Sequence, residues 1–288
     1  MHSLTRNAKW LNNQIVNISM LKSILILTLV TLLVSSIGWK KMVYFFSLGY
    51  GYGIAAIAVT LGVLYWHSLT WYMAAILLVL FIYGVRLATY LLVRELKHPA
   101  YVKTVSFDQV NKEDRSAFAL CMIWISCVLL YLCQTFPVTA FLDALAQGLT
   151  PNPVWAYVGL GFAVAGVLLE TIADQQKNAA KKRDPKRWVD TGVYRLVRCP
   201  NYLGELLLWL GVLISGVPAL TTWWHWLLAL LGFIGITYVM FSGARRLELR
   251  QDHNYGNHPD YQAYKQRVPI LLPFVPIYSV KDYAWLKG

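Results

Sequence analysis

Seven stretches of this chain are apolar for long enough to cross a lipid bilayer: about 21–39, 42–65, 71–93, 117–138, 154–173, 203–220 and 223–241. The runs 42–65 and 117–138 contain no Asp, Glu, Lys or Arg at all. A helix on a soluble core needs a polar outer face, whereas a helix in hydrocarbon bonds every backbone polar group internally and presents apolar side chains all round. Composition agrees, with 57% hydrophobic and 14% charged residues and a mean hydropathy of +0.47, outside ordinary globular usage. The expected fold is therefore all-α. It is a multi-pass membrane protein of about seven transmembrane helices, with a polar N-terminal segment (1–20) ahead of a single membrane domain (21–288).

The formal charge of +12 is informative through its distribution, because Lys and Arg in short loops stay on the cytoplasmic side. Loops 66–70, 139–153 and 221–222 lack both residues, while loops 94–116 and 174–202, the Lys40-Lys41 turn and the tail after 244 are rich in them. The two sets alternate as seven spans require, which puts the N-terminus outside and the C-terminus in the cytoplasm. Only Arg6 and Lys9 oppose this. The setting is an integral membrane, the inner (plasma) membrane if the chain is bacterial.

Segment 174–202 carries eight basic residues (Lys177, Lys181, Lys182, Arg183, Lys186, Arg187, Arg195, Arg198) against three acidic ones. Retention by topology and contact with anionic lipid headgroups explain part of this excess, and a phosphate-bearing ligand explains it as well. No nucleic-acid partner is expected, since no recognisable reading module is present. The apolar composition instead calls for membrane lipids as partners.

Three of the four cysteines (Cys121, Cys127, Cys133) fall in one apolar run at six-residue steps, which rotate around a helix and suit packing. There is no Cys-x-x-Cys, and His253 and His258 sit in a polar segment, so no metal site is expected. Arg6, Lys9 and Lys22 precede the first run without an Ala-x-Ala-like cleavage site, as in an uncleaved first span.

Ionisable groups inside spans are costly and are functional candidates for that reason. Arg86 lies about 22 Å along a helix from Trp71, given a rise of roughly 1.5 Å per residue, which puts it in the cytoplasmic half of its span. Glu170 and Asp174 close the fifth span and Glu205 opens the sixth, so all four are expected in one leaflet around one polar pocket. Tyr83 and Arg86 are i, i+3, and the pairs Glu170/Asp174 and Asn201/Glu205 are i, i+4, so each shares a face if helix runs through it. A phenol beside a cation is a plausible proton donor, because the cation favours its ionised form. The plainer alternatives are that Glu170 and Asp174 pair with Lys177 and Lys181, and that Arg86 is structural glue to Glu205.

The segment Thr191-Gly-Val-Tyr-Arg-Leu-Val-Arg-Cys-Pro-Asn-Tyr-Leu-Gly-Glu-Leu-Leu-Leu-Trp-Leu-Gly211 resembles the signature of the steroid 5-alpha-reductase family, and more closely its bacterial relatives called domain of unknown function 1295. Leu169-Glu-Thr-Ile-Ala-Asp-Gln-Gln-Lys177 is similar to that branch's helix end, and Tyr261-Gln-Ala-Tyr-Lys-Gln-Arg-Val-Pro-Ile-Leu-Leu-Pro273 to its C-terminal tail. Tyr83-Gly-Val-Arg-Leu-Ala-Thr-Tyr90 resembles the Tyr-x-x-Arg stretch of the steroid reductases. The likeness is strong over 154–276 and thin before.

Such a resemblance implies a seven-helix enzyme that uses NADPH to reduce a conjugated carbon–carbon double bond in a steroid-like or other lipidic substrate. By matching positions it implies Tyr83 as proton donor beside Arg86, and Asn201 and Glu205 at the nicotinamide end. It further implies Asp174 at the ribose or amide and Arg183, Arg195 and Arg198 at the phosphates, with Glu170 and Tyr202 also among the cofactor-binding residues. The sequence departs from the pattern in the second span, where Gly49-Tyr50-Gly51-Tyr52 replaces the Gln-Glu pair of steroid reductases, and Tyr50 or Tyr52 is left as the second donor. The signature also resembles the Arg-His-Pro-x-Tyr-x-Gly of isoprenylcysteine and phospholipid methyltransferases. An S-adenosylmethionine-dependent methyltransferase and a non-catalytic lipid-binding relative therefore stand as alternatives.

Overall fold

The computed structural model describes residues 20–97 and 116–286. It is all-helical, with 79% helix and no strand among the described residues. Segment 1–19, most of loop 94–116 and the last two residues lie outside the described residues. The helices are α1 (Met20–Trp39), α2 (Leu48–Leu64), α3 (Trp71–Lys97), α4 (Ala117–Ala146), α5 (Pro153–Arg183), α6 (Pro200–Gly216), α7 (Trp223–Tyr255) and α8 (Pro259–Arg267). All but α2 and α8 are long and apolar enough to span a membrane, six in total among the described residues.

Three boundaries differ from expectation. The run 42–65 is not one helix: Ser47 (φ −122°, ψ −86°) separates a single turn, Val43–Phe46, from α2. At 17 residues α2 is about 26 Å long, the short limit for a bilayer core of about 30 Å. Helix α4 does not stop at 138. It continues through Pro137 to Ala146, so the expected loop 139–153 is mostly helix. Proline removes the donor for the Cys133 carbonyl. Gly232 packs directly on that carbonyl and Gly216 on the Pro137 carbonyl, so bare backbone shields the weakened turn. Lastly, α5 runs nine residues beyond Asp174, ending in Lys181, Lys182 and Arg183, whose charges suit a helix C-terminus.

Helix starts follow local chemistry. Ser116 Oγ accepts from Ala119 N at 3.2 Å, Asn152 Oδ1 accepts from Val154 N at 3.0 Å, and Pro153, Pro200 and Pro259 each open a helix where no N–H is required. Hydroxyls inside helices bond one turn back, as Thr31 does to Leu27 O (2.6 Å), Thr135 to Tyr131 O (2.9 Å) and Thr237 to Phe233 O (2.7 Å). They need no water.

The chain divides into two compact units. The first comprises Met1–Tyr157 and Val212–Gly232, the second Val158–Gly211 and Phe233–Gly288. In the first unit α2 and α3 approach through glycine: a Cβ on Gly51 would sit 2.7 Å from the Gly84 carbonyl oxygen and 2.9 Å from Ala88 N. Gly51/Ala55 and Gly84/Ala88 are both small-x-x-x-small pairs, which let backbones touch in hydrocarbon. In the second unit α5 and α6 meet in the same way, and a Cβ on Gly204 would lie 2.6 Å from the Gly166 carbonyl oxygen and 2.9 Å from Glu170 Cβ.

Candidate functional site

In the first unit the glycine contact decides what lies beside Tyr83. Tyr50 and Tyr83 each precede the glycine at which their helices touch, so the two phenols meet inside the unit: Tyr83 Oη donates to Tyr50 Oη at 3.2 Å, with the rings edge to face. Tyr83 is fully buried. Gln134 of α4 reaches the same oxygen, its Nε2 donating at 3.5 Å, and Tyr131 packs its ring 5.1 Å from that of Tyr50 while donating to the Phe45 carbonyl. Arg86, one turn after Tyr83, is half-buried. Of the two second-span tyrosines, Tyr50 is the one in contact with Tyr83. Sequence reasoning missed Gln134, although an amide in a run without any charge is itself a signal.

A fifth ionisable group also lies inside a helix. Asp143, expected in a loop, is buried in α4, where Oδ1 accepts from Tyr65 Oη at 3.4 Å and Oδ2 from Gln147 Nε2 at 2.5 Å. Ser23 Oγ lies 3.0 Å from the same Tyr65 oxygen. Asp143 thus adds an in-span carboxylate to the four expected, because the helix carries on beyond 138.

The second unit contains the other eight predicted residues. Helix runs through Glu170 and Asp174 and through Asn201 and Glu205, so each i, i+4 pair does share a face. Glu170, Asp174 and Glu205 are buried, which rules out the carboxylates simply reaching out to water. Glu170 stands at the Gly204 crossing, next in sequence to Glu205, whose Oε1 accepts from Trp209 Nε1 at 3.4 Å. Asn201 and Tyr202 are half-buried in the first turn of α6, Tyr202 lying against Gly243 of α7. Arg183 and Arg195 are exposed.

The signature turn is held down on α5. Gly192 has φ +61°, a conformation that favours glycine, and a Cβ there would overlap the Gln176 side chain. Gln176 Oε1 accepts from Val193 N at 2.9 Å, Tyr194 Oη donates to the Ala173 carbonyl at 3.2 Å, and Tyr264 Oη donates to the Tyr194 carbonyl at 2.8 Å. Lys181 braces the loop, with Nζ donating to the Pro185 carbonyl (3.1 Å) and to Tyr255 Oη (2.9 Å). It is therefore not reserved for Glu170 or Asp174.

Arg198 differs from the other two arginines. It is 1% exposed, its Nη2 lies 3.0 Å from Glu248 Oε1 and donates to the Tyr278 carbonyl, while Nε and Nη1 form no hydrogen bond among the described residues. Glu248 also takes Lys265 Nζ at 3.1 Å and Val280 N at 2.8 Å. Lys265 and Tyr261 in turn hold Asp252 at 2.6 and 2.9 Å. Backbone bonds from Arg198 N to Pro269 O and Cys199 N to Ile270 O, both 2.9 Å, fix the turn before α6 to the tail. Burial pushes the Cys199 thiol up to about 12, despite the opposing Arg198 charge. Burial likewise raises the phenols of Tyr264 and of Tyr261, the latter helped by its bond to Asp252.

These residues can accept hydrogen bonds from hydroxyl and amide groups through three buried carboxylates, and can meet phosphate through exposed arginines one helix end away. No solved structure matches the chain. The Uncharacterized protein C594.04c of Schizosaccharomyces pombe is similar, 28% identical over 140 residues, which make up 41% of this chain and 39% of that protein. The chain thus spans well under half the length of that relative. A family described as "Protein of unknown function (DUF1295)", a steroid 5-alpha-reductase-like branch, matches residues 38–268, and since this is most of the sequence, including both glycine crossings and the stapled signature turn, the chain belongs to the DUF1295 family.

Proposed function

We propose that this protein is a membrane-embedded, NADPH-dependent oxidoreductase that reduces a conjugated carbon–carbon double bond in a steroid-like or other lipidic substrate. The observation that supports it most is the grouping in the second unit of buried Glu170, Asp174 and Glu205 with Asn201 on α5 and α6, in a chain whose signature turn carries exposed Arg195 and whose α5 ends in exposed Arg183.

This donor and acceptor set fits a dinucleotide. Buried carboxylates bind ribose hydroxyls and a carboxamide N–H, and arginine forks bind phosphate oxygens. Asn201, Tyr202 and Glu205 would take the nicotinamide end, Glu170 and Asp174 the ribose or amide, and Arg183 and Arg195 the phosphates. Arg198 would contribute Nε and Nη1 while Nη2 stays on Glu248. When bound, NADPH supplies the hydride. Tyr83 Oη gives a hydrogen bond to the substrate's carbonyl oxygen and supplies the proton, and Arg86 favours the phenolate that results. In this reading the basic loop faces the cytoplasm, where the cofactor is, and the first unit receives the lipid.

The test is thermal stabilisation of detergent-purified protein by NADPH and by S-adenosylmethionine. At a ligand concentration of about 100 Kd, roughly 2.7 kcal/mol of stabilisation is expected from NADPH alone. Stabilisation by S-adenosylmethionine instead would favour a methyltransferase, and a response to neither would favour a non-catalytic lipid-binding protein.

A further inference from the structure

We infer that Gln134 is a specificity-determining residue of the first unit, which with Tyr50 and Tyr83 recognises the single oxygen function of an otherwise apolar lipid. The inference takes its ligand class from the reductase reading, but its geometry lies entirely within the first unit.

Gln134 is 3% exposed in the middle of a run with no charged residue. An amide there is expensive unless both ends are bonded. One end reaches Tyr50 Oη at 3.5 Å, and the other, Oε1, is buried with no hydrogen-bond partner among the described residues. The neighbouring hydroxyls do not need it: Thr135 and Thr139 bond back along α4 at 2.9 and 3.1 Å, and Tyr131 bonds to Phe45 O. A leucine or methionine would fill the same volume without that cost, so packing does not account for the amide.

Turning the amide over about its last bond exchanges Oε1 and Nε2 and moves nothing else. Its outer atom therefore offers an acceptor to a hydroxyl or a donor to a ketone. The inner atom stays on Tyr50, which Tyr83 also contacts at 3.2 Å. Tyr50, Tyr83 and Gln134 come from α2, α3 and α4, so three helices converge on one polar point. Such a point distinguishes an oxygen-bearing lipid from its hydrocarbon counterpart and leaves the rest of the molecule to shape.

The experiment uses the full chain in detergent, with 4-cholesten-3-one and the matching hydrocarbon cholest-4-ene as competing probes, and NADPH stabilisation recorded in parallel. The wild type is expected to bind the ketone about tenfold or more tightly than the hydrocarbon, the scale of one well-made buried hydrogen bond. Gln134→Leu should lose most of that preference, keeping only the part that Tyr83 supplies, with an unchanged NADPH response, and Gln134→Met carries the same comparison if the leucine variant does not fold. Equal binding of the two probes by the wild type, no binding of the ketone, or a ketone preference undiminished in both variants would each overturn the inference. A preference that depends on Gln134 in a protein that ignores NADPH would uphold it and discard the reductase reading.

Discussion

Arg198 Nη2 lies 3.0 Å from Glu248 Oε1 with both side chains shut off from solvent, and the other Glu248 oxygen takes the backbone N–H of Val280. A sequence-distant carboxylate thus joins the signature turn, α7 and the tail. Removing one member of a buried pair leaves the other charge stranded, at a cost of roughly 3–5 kcal/mol. Glu248→Ala should therefore lower the thermal midpoint sharply, whereas Arg198→Met with Glu248→Leu should recover much of the loss. The double-mutant cycle, read by melting in detergent, checks this. Additive effects of the two changes would mean that the pair is not coupled.

The Gly51–Gly84 contact sets the distance between Tyr50 and Tyr83. Gly84→Val would force its side chain into the Gly51 carbonyl and the Ala55 backbone, and overpacking of this kind costs about 1–3 kcal/mol. It should depress the melting temperature more than Gly161→Val, a position where an added Cβ meets nothing within 4 Å. Equal midpoints for the two variants would remove the crossing as a determinant of the site.

Helix positions were largely legible because hydrocarbon length is written in apolar runs. Boundaries that depend on tertiary contacts were not. Pro137 reads as a helix end, yet Gly216 and Gly232 pack on the freed backbone and the helix continues past it to bury Asp143. Ser47 carries no sequence mark of a break. Of the candidate site, the acidic residues of α5 and α6 were readable from spacing, and the pairing of Tyr50 with Tyr83 was present in the Gly-x-x-x-Ala pattern of both helices. Glu248 was not, since among Arg245, Arg246 and Arg250 it looks like one charge on a solvated helix end, and only the folded tail shows it to be fully buried. Gln176 was likewise hidden, because its role depends on a turn sixteen residues away.

Tyr83→Phe removes a hydroxyl and little volume. It forfeits the 3.2 Å bond to Tyr50, a net stability cost of about 1 kcal/mol. If Tyr83 supplies the proton, turnover should fall by about 10²–10⁴, as for loss of a positioned acid, while NADPH binding is unchanged. Steady-state rates alongside NADPH titration separate the two effects. Unchanged turnover would take Tyr83 out of the mechanism.

Alkaline pH should loosen the second unit. The phenols of Tyr261 and Tyr264 are raised above their ordinary values chiefly by burial, so the folded state holds these protons more tightly than the unfolded one. Their contribution to stability is complete below about pH 10 and is lost as pH climbs toward the raised values. Thermal midpoints measured between pH 8 and 11 should be flat with respect to these groups and then fall. Tyr264→Phe should soften that fall even though it loses the 2.8 Å bond to the Tyr194 carbonyl.

The proposed orientation puts loop 184–190 in the cytoplasm, and a Cys121→Ser background, which removes a half-buried native thiol, makes this testable. Cys199 is 1% exposed and its thiol is pushed up to about 12, so at neutral pH it presents neither access nor thiolate to a maleimide. Cys127 and Cys133 are buried within α4. A membrane-impermeant maleimide should therefore report mainly on a cysteine placed at exposed Lys186, and Lys186→Cys should label only after the cells are permeabilised. Labelling in intact cells would put the basic loop outside, against the distribution of Lys and Arg, and would separate the exposed Arg183 and Arg195 from any cytoplasmic nucleotide.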